Sequence, residues 1–296
     1  MDLFVILLAI PLVSGVLLTV AGERAWAPHL NIIASAGTFL ASALLTAEIV
    51  AGGPRFAFGE AFFIDSMNVF FVALTAFVGM TTSIFSGPYM RNEQEHGKLS
   101  VPRLRLYKGM FQLFMFTMLA ALTTNNLGIL WVAMEAATLA TVLLVSLYRT
   151  PASLEAAWKY FILCGVGIAQ ALFGTILLYF AAERVLGEAG SALLWTHLVG
   201  VRAQLEPAIM ALAFYAITVI SLPMLVDREV DFLTAIIVSL ATIRSNTLVM
   251  LVWGFVIATS LFVAMMPAFL GLLVVLPVLG HATWHLYRRA VVEGGA

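Results

Sequence analysis

An all-α polytopic membrane protein is the fold class that the sequence predicts, and three observations predict it. The chain is 62% hydrophobic and 10% charged, where soluble domains carry about a quarter charged residues. Its apolar residues come in blocks of about 20, the length a helix needs to cross a bilayer, rather than in short periodic stretches. Its basic residues collect in the short loops between those blocks. The net charge of −1 excludes an electrostatic nucleic-acid binder, and the single cysteine, Cys164, excludes an intrachain disulfide or a cysteine metal cluster.

The blocks give nine candidate spans, approximately 3–21, 30–51, 65–87, 107–124, 127–147, 155–181, 206–226, 247–265 and 268–286. The first, within "MDLFVILLAIPLVSGVLLTVAGERAW", lacks the basic start of a secretory signal and reads as a span. The sixth holds Lys159 near one end, where its head can extend toward the interface. The seventh and ninth hold Pro223 and Pro277, which kink membrane helices without forbidding them. Two stretches lie outside the spans. Residues 183–205 form a mixed linker with room for a short interfacial helix. Residues 230–246 set Asp231, Thr234, Thr242 and Ser245 at helical spacing against an apolar face, an amphipathic helix expected on the inner surface.

Orientation follows from lysine and arginine in the loops. "RNEQEHGKLSVPRLRLYK" carries Arg91, Lys98, Arg103, Arg105 and Lys108, the densest basic cluster in the chain. Placing it in the cytoplasm puts the N-terminus outside, and Arg149, Arg228, Arg288 and Arg289 then fall inside as well. A nine-span chain in the bacterial inner membrane, with its C-terminus cytoplasmic, satisfies every basic cluster at once.

One residue stands out against this background. "GILWVAMEAATLATVLL" places Glu135 eight or nine residues into its helix, about 13 Å deep at 1.5 Å per residue. A charge there costs at least about 3 kcal/mol, so it faces protein or water and has a partner. The functional reading is a proton or ion relay; the alternative is a hydrogen-bonded acid that only locks helices together. Lys159, on the next antiparallel helix, is the candidate partner. Counted from the loop "YRTPAS", the two differ in height by about 9–10 Å, so the pair is stretched and a bridging water would complete it.

The residues around this pair carry a resemblance. "FIDSMNVFF…SGPYMRNE", the block from "KLSVPRLRLYKGMFQLFMFTMLAALTTNNLGILW" through "RTPASLEAAWKYFILCGVGIA", and "LEPAIMALAF" resemble the antiporter-like membrane subunits of the respiratory complex I superfamily, most of all the form found in type-4 hydrogenases. The resemblance implies that Glu135 and Lys159 match a mid-membrane glutamate and a lysine that take part in proton translocation. It runs to about residue 211 and then stops. Complete family members have about fourteen helices and further essential lysines, whereas this sequence has no lysine after Lys159. The expectation is therefore a truncated subunit, completed by neighbouring membrane subunits. From residue 212 the chain resembles the C-terminal part of an uncharacterised family of bacterial inner-membrane proteins. This suggests two regions, 1–211 and 212–296, joined by a natural gene fusion.

The remaining candidates have ordinary explanations. His281 and His285, four apart beside Trp284, could ligate a metal or pigment, but two histidines fill only part of a coordination sphere. An interfacial anchor built with Tyr287 and the arginines explains them as well. Gly165, Gly167 and Gly174 read as small residues for close helix packing rather than as a phosphate loop. Glu48 and Glu206 sit at span ends, and "DREVD" at 227–231 reads as a solvated turn. No cofactor site and no independent catalytic arrangement is evident. The expected partners are lipids and other membrane subunits, with a structural scaffold in a respiratory or photosynthetic assembly as the alternative to a proton-path subunit.

Overall fold

Helices dominate the computed structural model, which describes residues 3–187, 191–205, 207–228, 230–266 and 271–293. Glu206, Glu229 and the start of the ninth expected span fall outside the described residues. The chain divides into two units, Met1–Thr175 with Ala182–Gly200, and Ile176–Ala181 with Val201–Ala296. Each is described by itself.

The first unit contains α1 (Leu3–Ala21), α2 (Ala27–Gly52), α3 (Asn68–Glu95), α4 (Val101–Thr123) and α5 (Leu127–Val145), with a 3₁₀ turn at Ser146–Tyr148. The long α6 (Pro151–Leu186) begins in it, and the short α7 (Trp195–Val201) lies near its end. A hairpin of β1 (Arg55–Ala57) and β2 (Phe62–Ile64) stands between α2 and α3. Sequence patterning did not anticipate these two strands, which are three residues each. Their register sets Phe56 opposite Phe63, rings 4.9 Å apart, the kind of aromatic cross-strand pair that stabilises so short a ladder.

Local chemistry starts the helices where they start. Asn126 caps α5 by accepting from the amides of Gly128 and Ile129 at 2.8 and 3.2 Å. Thr150 caps α6 by accepting from Ser153 N at 3.1 Å, with Pro151 in the first turn, where its missing N–H costs nothing. Among the described residues seven helices, α1 to α6 and one with a span at Thr247–Ala264, are long and apolar enough to cross a membrane. The chain is an all-α polytopic membrane protein.

Glycines let α4 approach its neighbours. A Cβ on Gly109 would lie 2.1 Å from Thr19 Oγ1 on α1, and one on Gly15 would lie 3.0 Å from Leu113. On α3, a Cβ at Gly79 would strike the Met115 side chain at 2.4 Å. In lipid, where apolar burial drives little association, such close approach is what holds helices together. A buried polar triad ties α4 to α2: Gln112, fully buried, donates through Nε2 to Asn31 Oδ1 and Ser35 Oγ, both at 2.9 Å.

The second unit contains α8 (Pro207–Asp227), α9 (Phe232–Ser245), α10 (Thr247–Met265), α11 (Leu272–Tyr287) and a π turn at Arg288–Glu293. Tyr215 donates to Met250 O at 2.7 Å, and Tyr287 donates to Asp227 at 2.8 Å. The expected amphipathic helix is α9, but its polarity runs inside out. Ala235, Ser239 and Thr242 are buried, with Ser239 donating to Ala216 O of α8 at 2.7 Å, while Leu233, Ile237 and Leu240 are exposed. Small hydroxyl residues can bond backbone carbonyls and admit a neighbouring helix, and large apolar side chains lose nothing by facing lipid. With 14 residues, α9 is about 21 Å long, too short to span by itself.

Candidate functional site

Glu135 is the ninth residue of the 19 in α5, half-buried at mid-helix. Among the described residues its carboxylate has no hydrogen-bond or ion-pair partner. The face it occupies is nonetheless a built one. At 100° per residue, Trp131 and Thr138 fall on the same side of α5 as Glu135. Trp131 donates from Nε1 to Ile168 O of α6 at 2.7 Å. The Tyr160 hydroxyl of α6 lies in polar contact with the hydroxyls of Thr138 and Thr141 and with the Cys164 thiol. The glutamate therefore sits on the α5 face turned to α6, with a hydrogen bond to α6 a turn before it and Tyr160 of α6 near the hydroxyls a turn after it.

These contacts fix the relative height of the two helices. Pairing residue 131 with 168, and 138–141 with 160, sets Glu135 level with Cys164. Lys159 is then five residues, about 7.5 Å, nearer the start of α6. The structure does not bring the two charges together. Lys159 is exposed and its Nζ lies 2.5 Å from Glu155 Oε1, one turn back on the same helix. The spacing Glu155 to Lys159 is the favoured i,i+4 order for such a pair, a local signal already present in the sequence.

Near Cys164, Gly165 and Gly167 have nothing within 4 Å of where a Cβ would stand. Within the described residues these two glycines therefore admit no neighbouring helix of this chain. Three residues that patterning missed, Trp131, Thr138 and Tyr160, define the surroundings of the glutamate. Polar groups recurring on one face of an otherwise apolar helix were the available signal.

The two ends of this unit are polar in different ways. At the end where α5 begins, Asn125, 2% exposed, spends its whole amide. Its Nδ2 donates to Glu60 O and Thr196 Oγ1, both at 3.0 Å, and its Oδ1 accepts from Thr196 N at 3.1 Å. The stretch expected to be a mixed linker is thereby pinned to the hairpin loop and to the start of α5, and His197 lies 3.2 Å from Glu60. At the opposite, basic end, Lys98 pairs with the buried Glu93 at 3.0 Å and Arg105 pairs with Glu23 at 2.8 Å. Arg103 donates to Tyr148 O at 3.2 Å, and Lys108 donates to Gly22 O at 3.1 Å. Glu48, expected to be merely solvated, pairs with Arg55.

In the second unit His281 and His285 are exposed and converge, Nε2 to Nε2, at 3.1 Å. Two imidazole nitrogens supply half of a tetrahedral sphere. Among the described residues no set of three histidine, cysteine or acidic side chains is gathered in a way that could hold a metal. Asp231, from the acidic turn, caps α9 by accepting from Thr234 N at 2.9 Å.

No protein-family profile matches the chain. Its relatives are a hydrogenase-4 component and subunits of NADH-quinone oxidoreductases. It is 48% identical over 161 residues to the hydrogenase-4 component F homolog of Methylacidiphilum infernorum, covering 54% of this chain and 34% of that one. It is 29% identical over 195 residues to NADH-quinone oxidoreductase subunit L of Mycobacterium tuberculosis, covering 59% and 29% respectively. It is 23% identical over 198 residues to subunit L of Escherichia coli, covering 60% and 31%. The chain thus spans about a third of the length of the curated relatives it matches. Among solved structures, a chain of the membrane-bound sulfane sulfur reductase, an archaeal respiratory membrane complex, matches with a TM-score of 0.59. That match has 19% identity over 73% of this chain and 44% of that one, a likeness of fold.

Proposed function

We propose that the chain is an antiporter-like subunit of a membrane-bound, proton-translocating oxidoreductase complex, in which Glu135 is one station of a proton path or coupling element. The observation that carries this reading is the placement of Glu135: mid-helix, half-buried, on the face that bonds α6 through Trp131, and without a partner among the described residues. A carboxylate at that depth needs water or a group from elsewhere, and the homologues work as subunits of larger membrane complexes. The partners are therefore other membrane subunits. In this reading the basic end faces the cytoplasm of a bacterial inner membrane, with the N-terminus outside and the C-terminus cytoplasmic.

Lys159 belongs to the same element as a second station. Its ammonium is held by Glu155, so the pair stores a cation about five residues from the level of Glu135, and breaking that contact would free it to move toward the glutamate. His281 and His285 serve as interfacial anchors with Trp284. A scaffold role without proton transfer is favoured by one observation, the commitment of Lys159 to Glu155 on an exposed face.

Glu135→Gln separates the two readings. In membrane vesicles carrying the native complex, the variant should assemble and support electron transfer while dye-reported proton movement falls. Unchanged proton movement would assign the chain to the scaffold role.

A further inference from the structure

A small cleft opens between α2, α3 and α4 at the basic end of the first unit. Its volume is about 90 Å³, and Arg91, Lys108, Tyr107, Ser86 and Asn31 are among the residues that line it. Two cations share it, and no carboxylate belongs to its lining among the described residues. Lys108 is half-buried and Arg91 is exposed at the mouth, so an anion between the two cations would be attracted by both. The protein does not supply one.

The hydrogen bonds show which groups remain to hold it. Arg91 makes no ion pair or hydrogen bond with the described residues, unlike Lys98 and Arg105, which are paired with Glu93 and Glu23. Lys108 gives one proton to Gly22 O, leaving two. Asn31 accepts through Oδ1 from Gln112, leaving its own Nδ2 protons uncommitted. Tyr107 and Ser86 are already in contact with each other. What faces the cleft is a set of N–H donors around a space sized for a phosphate group.

We propose that this cleft binds the phosphate of an anionic phospholipid, with Arg91 and Lys108 as the charged ligands and Asn31 at its floor. Basic pockets between membrane helices at the interface are suited to acidic headgroups. On its other faces α3 carries exposed apolar side chains, Ile84 and Phe85, so the cleft lies at the end of a helix whose outer surface suits lipid. A zwitterionic lipid would bring a third positive group into the same space and is disfavoured.

The test uses the full chain, purified and delipidated in a neutral detergent, with lipid retention read by native mass spectrometry. Phosphatidylglycerol should bind in preference to phosphatidylcholine. Arg91→Gln, at an exposed side chain that leaves packing untouched, should weaken phosphatidylglycerol binding about fivefold, the effect of losing one interfacial cation. Arg91→Gln with Lys108→Gln should weaken it about thirtyfold. Arg244→Gln, on α9, should change nothing. Equal affinity for the two lipids, or Arg91→Gln binding like the parent, overturns the proposal. Displacement of the lipid by an equal concentration of inorganic phosphate would assign the cleft to a soluble anion instead, and the lipid assignment would fail.

Discussion

The α1–α4 contact and the α5–α6 contact are both made by neighbouring membrane helices carrying glycines, yet they are built on opposite plans. The first is closed: Gly15 and Gly109 disappear into it, and any added methyl meets a side chain or backbone at about contact distance or less. The second is open. Among the described residues nothing stands where a Cβ on Gly165 or Gly167 would be, and it is held by a tryptophan N–H on a carbonyl and a tyrosine near threonines. Glycine content alone therefore does not tell a structural seam from a functional one. The useful distinction is whether the partner atoms are already present.

Substitutions can sharpen or break that contrast. The largest effect is expected for Gly109→Leu, which must push Thr19 away and open the α1–α4 seam. Overpacking of this kind costs about 1–3 kcal/mol or more, visible as a lower melting temperature in detergent, while Gly165→Ala should melt with the parent. Equal losses at both sites would erase the distinction. Next comes Gln112→Ala, which leaves Asn31 Oδ1 and Ser35 buried without their donor. A loss of about 1–3 kcal/mol is expected by the same measurement.

Trp131→Phe removes a single hydrogen bond from the open contact, worth about 1 kcal/mol. Amides of α5 and α6 should then exchange faster while those of α1 and α4 hold. The smallest effect concerns pH and the second unit. The Thr234 hydroxyl, with the Thr234 amide, holds the Asp231 carboxyl below the ordinary carboxylate range. A group with a lowered folded value contributes stability above its unfolded value of about 3.9, and that contribution is lost as pH falls through the folded value. The first turn of α9 should therefore fray on acidification below about pH 4, by hydrogen exchange, and Asp231→Asn should remove most of that dependence.

These contrasts also mark what could be read from the sequence. Each of the nine expected spans overlaps a helix, because length and hydropathy are local properties, but among the described residues those at 206–226 and 268–286 are not among the seven long and apolar enough to cross a membrane. Glu135 was legible for the same reason, as a charge where composition forbids one. The tie of Lys159 to Glu155 was local too, an i,i+4 pair overlooked beside the more distant candidate. What could not be read was nonlocal: that Tyr160 meets Thr138 and Thr141, that α9 turns its small hydroxyl face inward, and that Arg91 and Lys108 line one cleft. Each depends on which helix face meets which neighbour, and apolar residues on every side of a membrane helix leave that unspecified.

Asn125 has an implication for how this protein is made. Its amide joins the backbone of Glu60, 65 positions earlier, to Thr196, 71 positions later. As the chain leaves the ribosome, α5 is complete well before Thr196, the later of the two partners of Asn125, has been made. Its starting point, and with it the level at which an acid rests in the lipid, is clamped only when a late-synthesised segment arrives. A truncation before residue 196 would yield the same helix without its clamp.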